Sequence, residues 1–404
     1  MITKLKNLGP GLLFAGAAIG VSHLVQSTRA GADFGLGLLW ALLLIHLFKY
    51  PFFQFGPRYA TATGESLIDG YKKLGKGILI AYFILSLATM FTIQTAVTIV
   101  TAGIASTLFG DVISIKVWTV IILVVCLSLL IIGKYKLLDR LMKIIIVTLT
   151  ISTIAAVSIA LFNNSNTLDF KQVLPENPIE IAFLIAFMGW MPAPLDIAVW
   201  QSLWSIEKNK ATKQYNTKSA LFDFNIGYFG TIVLGVCFVL LGTLVMFNSG
   251  ETFSGSASVF SSQLINMYTL SLGDWAYIII GIAAFTTMFS TTLTTLDASP
   301  RSMAKASELL FKKTTKLNYV FWISILFIGT IAIFFFLASE MGLLIKIATI
   351  LSFITAPFYA IISYKLICSK HTPKTWRPSK QLHFLSWLGI AFLIGFSIWY
   401  LTTI

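Results

Sequence analysis

Cysteine, histidine and charge are all scarce in this chain, and acid is the scarcer charge. The 404 residues include three cysteines, and Cys126, Cys237 and Cys368 fall singly in separate apolar stretches, which leaves no disulfide framework and no thiolate metal cluster. They read as small buried apolar residues. The four histidines, His23, His46, His371 and His383, are scattered, and no His-Glu-x-x-His pair exists to build an intramembrane metalloenzyme. No P-loop, nucleotide fingerprint or soluble domain is present, which excludes coupling to ATP within this chain.

Charged residues make up 11% of the chain against 57% hydrophobic, and the mean hydropathy is +0.85. A soluble core of this length cannot hide that much apolar surface, so the expected environment is a lipid bilayer. A bilayer core of about 30 Å needs about 20 apolar residues per helix. Eleven runs of that order are expected, over 11–33, 36–57, 78–109, 117–133, 141–162, 179–204, 220–247, 275–299, 319–338, 343–367 and 384–403. The first run follows Lys4 and Lys6 as a signal peptide would, but it is long and lacks a small-residue cleavage pattern, so it is expected to remain in the mature protein.

The net charge of +13 is distributed by loop. Of the 29 lysines and arginines, 24 fall in the amino-terminal segment and in alternate loops on that same side, from Lys4 and Lys6 to Arg377 and Lys380. The other loops hold Lys116, Lys171 and Lys346 beside Asp111, Asp169, Glu176, Glu251, Asp274 and Glu340. Basic loops stay cytoplasmic, so a multi-pass cell-membrane protein with its N-terminus inside and, after an odd number of spans, its C-terminus outside is expected. This pattern accounts for the positive charge without nucleic acid.

Two spans are interrupted at matching places. Gly16-Ala17-Ala18-Ile19-Gly20 breaks the first and Gly189-Trp190-Met191-Pro192-Ala193-Pro194 the sixth. Irregular backbone at membrane depth is tolerated where it lines a cavity, so the breaks predict a substrate site. Five spans separate them, and an odd period inverts the second copy. Residues 1–162 (spans 1–5) and 178–367 (spans 6–10) are then expected to form an inverted repeat, with 384–404 (span 11) added, all in one transmembrane domain.

These residues resemble the NRAMP divalent-metal transporters. Gly9-Pro10-Gly11-Leu12-Leu13 is similar to that family's first span, Leu38-Leu39-Trp40 through Arg58-Tyr59-Ala60-Thr61-Ala62-Thr63-Gly64-Glu65-Ser66-Leu67 to its second span and loop, and Met191-Pro192 to its Met-Pro-His. The resemblance implies an all-α integral membrane protein of eleven transmembrane helices, a LeuT-like 5+5 inverted repeat plus one extra helix, with spans 1 and 6 broken. The family's Asp-Pro-Gly-Asn falls here on Gly20-Val21-Ser22-His23, and its histidine after Met-Pro on Ala193. Of the donors that suit a transition metal, His23 and Met191 remain, a poor set for hard Mg²⁺ or Ca²⁺.

The expected substrate site is Gly20, His23, Met191, Ala193 and Asp196, with His23 and Met191 as the metal candidates. His23 has a rival reading as a packing histidine, and Asp196, in the first turn after Pro194, as a helix cap. Gln26, Ser27, Gln201 and Ser202 lie further along the same half-helices, where interhelical bonding is the commoner role. Span 8 carries eight polar residues from Thr286 to Asp297, and LeuT-like resemblance makes Ser290, Thr291 and Thr294 a possible coupling-ion site; close helix packing is the rival. Asp297 is expected to pair with Arg301 at the surface, Arg29 with Asp33 at an interface, and Lys49 to snorkel to the cytoplasmic surface.

The resulting expectation is a secondary transporter that moves a cation, a divalent metal by resemblance, by alternating access coupled to H⁺ or Na⁺. The alternatives are a small non-metal or organic solute, and a sensor that binds without transport. No cofactor is expected, and the expected partners are the bilayer and a small ion or solute. A monomer suffices, with the oligomeric state open.

Overall fold

A computed structural model describes residues 8–110, 112–163, 168–212, 215–247, 253–312, 318–337 and 341–403. Lys4, Lys6, Asp111, Lys213, Glu251, Lys313, Lys316 and Glu340 lie outside those residues. The described residues form helices and connections, and no strand. Among the described residues, ten helices are long and apolar enough to cross a membrane. The expected sixth span is the exception: it is divided into two pieces, neither of which would cross alone.

Span 1 comprises α1 (Pro10–Ala18), a π-helix (Val21–Ser27) and α2 (Thr28–Phe34). Span 2 is α3 (Leu39–Thr63), followed by the short α4 (Leu67–Leu74), and span 3 is α5 (Lys76–Phe109). Helix α6 (Ile115–Asn163) carries spans 4 and 5, and its helical turns continue through the basic stretch where a loop is expected. Span 6 is α7 (Pro178–Trp190) and α8 (Ile197–Ala211). Span 7 is α9 (Thr217–Val245), then come α10 (Ala257–Leu272), α11 (Tyr277–Phe311), α12 (Asn318–Ala332), α13 (Met341–Cys368) and α14 (Lys380–Thr403).

Caps in the sequence account for several starts. The Asn177 side chain accepts from Glu180 N at 2.9 Å, with Pro178 at the first helical position, and Asn216 accepts from Ser219 N at 3.0 Å. Ser66 and Asp69 form a reciprocal capping box at α4. Gly64, at φ +75°, ends α3 in a conformation that side chains resist.

Span 1 lies against α9 at two glycine crossings. A Cβ on Gly227 would meet the Gly11 carbonyl oxygen at 2.1 Å, and one on Gly242 would meet that of Thr28 at 2.1 Å. Absent side chains allow the backbones to touch, the usual device for helix contacts in lipid. Asp223, also on α9, closes the start of the span. Its Oδ1 accepts from Gly9 N at 3.1 Å and its Oδ2 from Gly11 N at 2.9 Å and from the Tyr215 hydroxyl at 2.9 Å. A carboxylate there satisfies donors that a helix start leaves open and meets the positive end of its dipole.

Candidate functional site

Both breaks fall where the sequence puts them. Helix α1 stops at Ala18, Ile19 and Gly20 leave helical geometry, and the chain resumes as the π-helix. Helix α7 stops at Trp190, Met191 is extended, and Pro192 and Pro194 have no N–H with which to continue a ladder. The Met191–Pro192 peptide is cis.

Lys49 of α3 supplies the donors that the second break needs. Its side chain is fully buried, and Nζ donates to the carbonyls of Gly189 at 2.7 Å, Met191 at 2.8 Å, Met188 at 3.1 Å and Ala193 at 3.3 Å. A helix end leaves its last carbonyls without intrahelical partners and carries partial negative charge, and an ammonium answers both. The expectation that Lys49 snorkels to the surface is therefore corrected. Four carbonyls inside the bundle hold the ammonium more effectively than the apolar stretch its stem would have to cross. Asp196 acts electrostatically on Lys49, and its Oδ1 has no hydrogen-bond partner.

Between the breaks lies a cavity of about 20 Å³, room for roughly one water. Its walls are Ala17, Ala18, Val21 and Ser22 of span 1, Ile93 and Val97 of α5, Trp190, Ala193, Pro194, Ile197 and Trp200 of span 6, and Thr291 and Thr295 of α11. The lining is apolar and aromatic with three hydroxyls and no carboxylate, thioether or imidazole. Ser22 ties the breaks together, with Oγ 2.6 Å from Ala18 O and 3.2 Å from Pro192 O. Trp190 Nε1 donates to Ser352 Oγ at 2.8 Å, which fixes one indole.

Of the five expected substrate residues, Ala193 lines this cavity, and Gly20 borders it, since a Cβ there would meet Thr291 Oγ1 at 2.7 Å. The other three point elsewhere. His23 turns to α9, with Nε2 3.0 Å from Thr231 O and Nδ1 2.7 Å from Ser22 Oγ and 3.1 Å from Ala18 O. Its ring lies 6.4 Å from that of His46, itself 5.8 Å from Tyr228, so spans 1, 2 and 7 share an aromatic contact that sequence spacing did not suggest. Met191 is buried in the core and offers its carbonyl to Lys49. Asp196 is the residue before α8, and its side chain makes no cap bond. Among the described residues, no three His, Cys, Asp or Glu side chains converge to hold a metal ion.

The span 8 hydroxyls divide. Thr291 Oγ1 reaches Gly16 O at 3.1 Å, across to span 1. Ser290 and Thr294 donate within their own helix, to Thr287 O and to Ser290 O. Asp297 does pair with Arg301, whose Nε lies 2.8 Å from Oδ1 and 2.7 Å from Oδ2, but the carboxylate is fully buried and also accepts from Tyr319. The carboxylate is sunk in the bundle while Arg301 stays part-exposed and lines the basic-side cavity, because α11 runs on past residue 299 to Phe311.

Two larger hollows flank the central one. On the basic side, a cavity of about 420 Å³ is lined by charges of both signs, and Lys305–Asp69 at 3.0 Å and Lys210–Glu207 at 2.9 Å are paired there. On the opposite side a cavity of about 540 Å³ is lined by Gln26, Arg29 and Lys346 among apolar residues of α7 and α13. Arg29 and Asp33 interact electrostatically across one helical turn, as expected, but without a contact within 4 Å, and the guanidinium lies 5.6 Å from the centroid of the Phe183 ring.

The family model described as "Natural resistance-associated macrophage protein-like" (Nramp) matches residues 11–403. An uncharacterized protein of Pasteurella multocida strain Pm70 is 35% identical over 402 residues, which span 98% of this chain and 92% of that protein. A manganese transporter of Eremococcus coleocola, solved with an aromatic bis-isothiourea compound, superimposes with a TM-score of 0.76 at 14% identity, over 98% of this chain and 86% of that one. Mhp1, a nucleobase-cation-symport-1 family transporter, gives a TM-score of 0.63 at 13% identity, over 98% and 91%. MhsT, solved with L-phenylalanine, gives 0.63 at 14%, over 96% and 98%. With both central helices broken, the fold is LeuT-like, and this multi-pass membrane protein belongs to the Nramp family of transporters.

Proposed function

We propose that this chain is a secondary transporter working by alternating access, and that its cargo is a small organic solute rather than a divalent metal. The observation that carries the reading is the Lys49 ammonium on the carbonyls of Met188, Gly189, Met191 and Ala193. A tethered cation already holds the oxygen-rich end of the span 6 break and already draws on the nearby Asp196 charge, so a second cation beside it meets like charge in a medium of low dielectric constant. The neighbouring cavity holds only about one water as it stands, and its lining, with two indoles, three hydroxyls and no anion, suits an apolar body with few polar atoms once the breaks move apart.

The halves 1–162 and 178–367 rock as inverted repeats about the breaks, with 384–404 outside that motion and the basic loops cytoplasmic. H⁺ or Na⁺ drives the cycle. The contact between Thr291 and Gly16 is the candidate sodium contact, more than Ser290 or Thr294, whose hydroxyls are spent locally.

A second reading, divalent metal transport, is favoured by the family match and by Met191 at the break. Calorimetric titration of the detergent-purified protein with Mn²⁺ decides between them. Absence of saturable binding is expected; saturable binding lost in Met191→Ala would establish the metal reading instead.

A further inference from the structure

The cavity opposite the basic side carries charge of one sign in its lining. Outside the basic loops the chain has five basic residues, Arg29, Lys49, Lys116, Lys171 and Lys346, and two of them line this one hollow. No acidic side chain lines it, whereas the cavity on the other side balances its charges in pairs. Neither Arg29 nor Lys346 has a carboxylate within 4 Å among the described residues, and the one acid that acts on Arg29 electrostatically, Asp33, does not line the hollow. Arg29 Nε and Gln26 Oε1 are buried without a hydrogen-bond partner just behind the wall that these two residues form, within reach of the hollow if either side chain turns. Burying donors and acceptors unmet is costly, and two such groups on one wall mark a place for a polar ligand.

We infer that this vestibule is a recognition site for a small carboxylate, which makes the cargo of the proposed transporter an organic acid with a short apolar body. The guanidinium offers parallel donors that match a carboxylate, Lys346 adds a second positive charge, and the Gln26 amide turns either its oxygen or its NH₂ inward. Phe183, its ring centroid 5.6 Å from the Arg29 guanidinium carbon, adds a cation–π contact, and Ile179, Ala182 and Ile345 provide apolar wall for the hydrocarbon part. Ala186, on the same wall, lies one helical turn from Trp190 of the central cavity, so the site stands on the route inward. Its volume, about 540 Å³, is that of a small-molecule pocket. The paired positive charge repels a free divalent cation and draws anions from solution.

This inference rests on the organic-solute reading, and one set of measurements separates their failures. The probes are the sodium salts of acetate, propionate, butyrate and hexanoate, with propionamide as the uncharged isostere, sodium chloride as the inorganic anion and MnCl₂ as the metal. The readout is the thermal midpoint of the full-length protein in detergent against probe concentration. At least one carboxylate is expected to raise the midpoint saturably, with propionamide and chloride inert at the same concentration. Arg29→Gln and Lys346→Gln are each expected to weaken that binding by about 10-fold or more. Arg29→Lys, which keeps the charge and removes the fork, is expected to weaken it less than Arg29→Gln. Lys346→Gln changes an exposed position and keeps the test open if Arg29→Gln fails to fold.

Chloride acting like the carboxylates, an unchanged affinity in both Gln variants, or no response to any carboxylate overturns the inference. Propionamide binding without propionate binding overturns it while leaving the organic-solute reading intact. Saturable Mn²⁺ binding with no organic response overturns both.

Discussion

Lys49 Nζ donates to the Gly189 carbonyl at 2.7 Å, so a side chain from the second span holds the last turn of α7 in place. It does so where the helix has no hydrogen bonds of its own left to make, and three further carbonyls share the same three protons.

Lys49→Met keeps much of the stem and removes the charge and every donor. A buried carbonyl left unmet costs about 1–3 kcal/mol, and four are affected here. Loss of several kcal/mol is expected, read as a large fall in the thermal midpoint in detergent. A shift no bigger than that of an exposed-site control would show that water or a neighbouring group replaces the ammonium.

Asp223 closes the start of α1 from more than two hundred residues away. Asp223→Asn keeps the shape, removes the charge and leaves a single acceptor oxygen for Gly9 N, Gly11 N and the Tyr215 hydroxyl. A loss of about 1–3 kcal/mol is expected. Tyr215→Phe, which removes one donor, is expected to cost about 1 kcal/mol. Comparison of the two unfolding curves measures how much of the effect belongs to the helix start.

The glycine crossings make a prediction with its own control. Alanine at Gly227 or Gly242 puts a methyl group 2.1 Å from a backbone oxygen, and backbone cannot step aside as a flexible side chain does. Destabilisation of about 1–3 kcal/mol is expected at each. Gly230, on the same helix, has nothing within 4 Å of its added Cβ, so Gly230→Ala is expected to be neutral or mildly stabilising. Equal effects at all three positions would mean that helix propensity, not contact, decides.

Thr291 is the span 8 hydroxyl that reaches span 1. If sodium uses that contact, Thr291→Val abolishes any sodium dependence of uptake into proteoliposomes, while Ser290→Ala and Thr294→Ala leave it in place. Loss of the dependence in all three variants would point to helix packing instead.

Much of this architecture is written in local sequence. Glycine and proline set the two breaks, because helix interruption is a property of the residues at the interruption. Spans of about 20 apolar residues are legible for the same reason, and so is the Asp297–Arg301 pair, four residues apart on one helix. Burial of its carboxylate is not legible, since it depends on how far α11 extends. Lys49 was misjudged because depth along one helix says nothing of a partner in another; its acceptors lie about 140 residues on. Asp223, on a largely apolar helix, carries no local sign that its partners are the first turns of the chain. The sixteen-residue α10, with its serines and threonine, resembles loop in composition and is short for a span. His23, Met191 and Asp196 are at the expected breaks, but helix rotation decides which face meets a cavity, and the π-helical turn after Gly20 alters that rotation.

The backbone-to-backbone crossings at Gly227 and Gly242 have a mechanical meaning. Contacts made through side chains can slide by changing rotamers, whereas carbonyl oxygens seated where a methyl group would not fit act as cogs. Both ends of the broken first span engage α9 in this way, so neither end can swing without turning that helix. The outer surface of α9 exposes Phe229 and Phe222 to the surroundings. A lipid or drug gripping that surface would brake the broken first span from outside, without ever entering the path that the cargo takes.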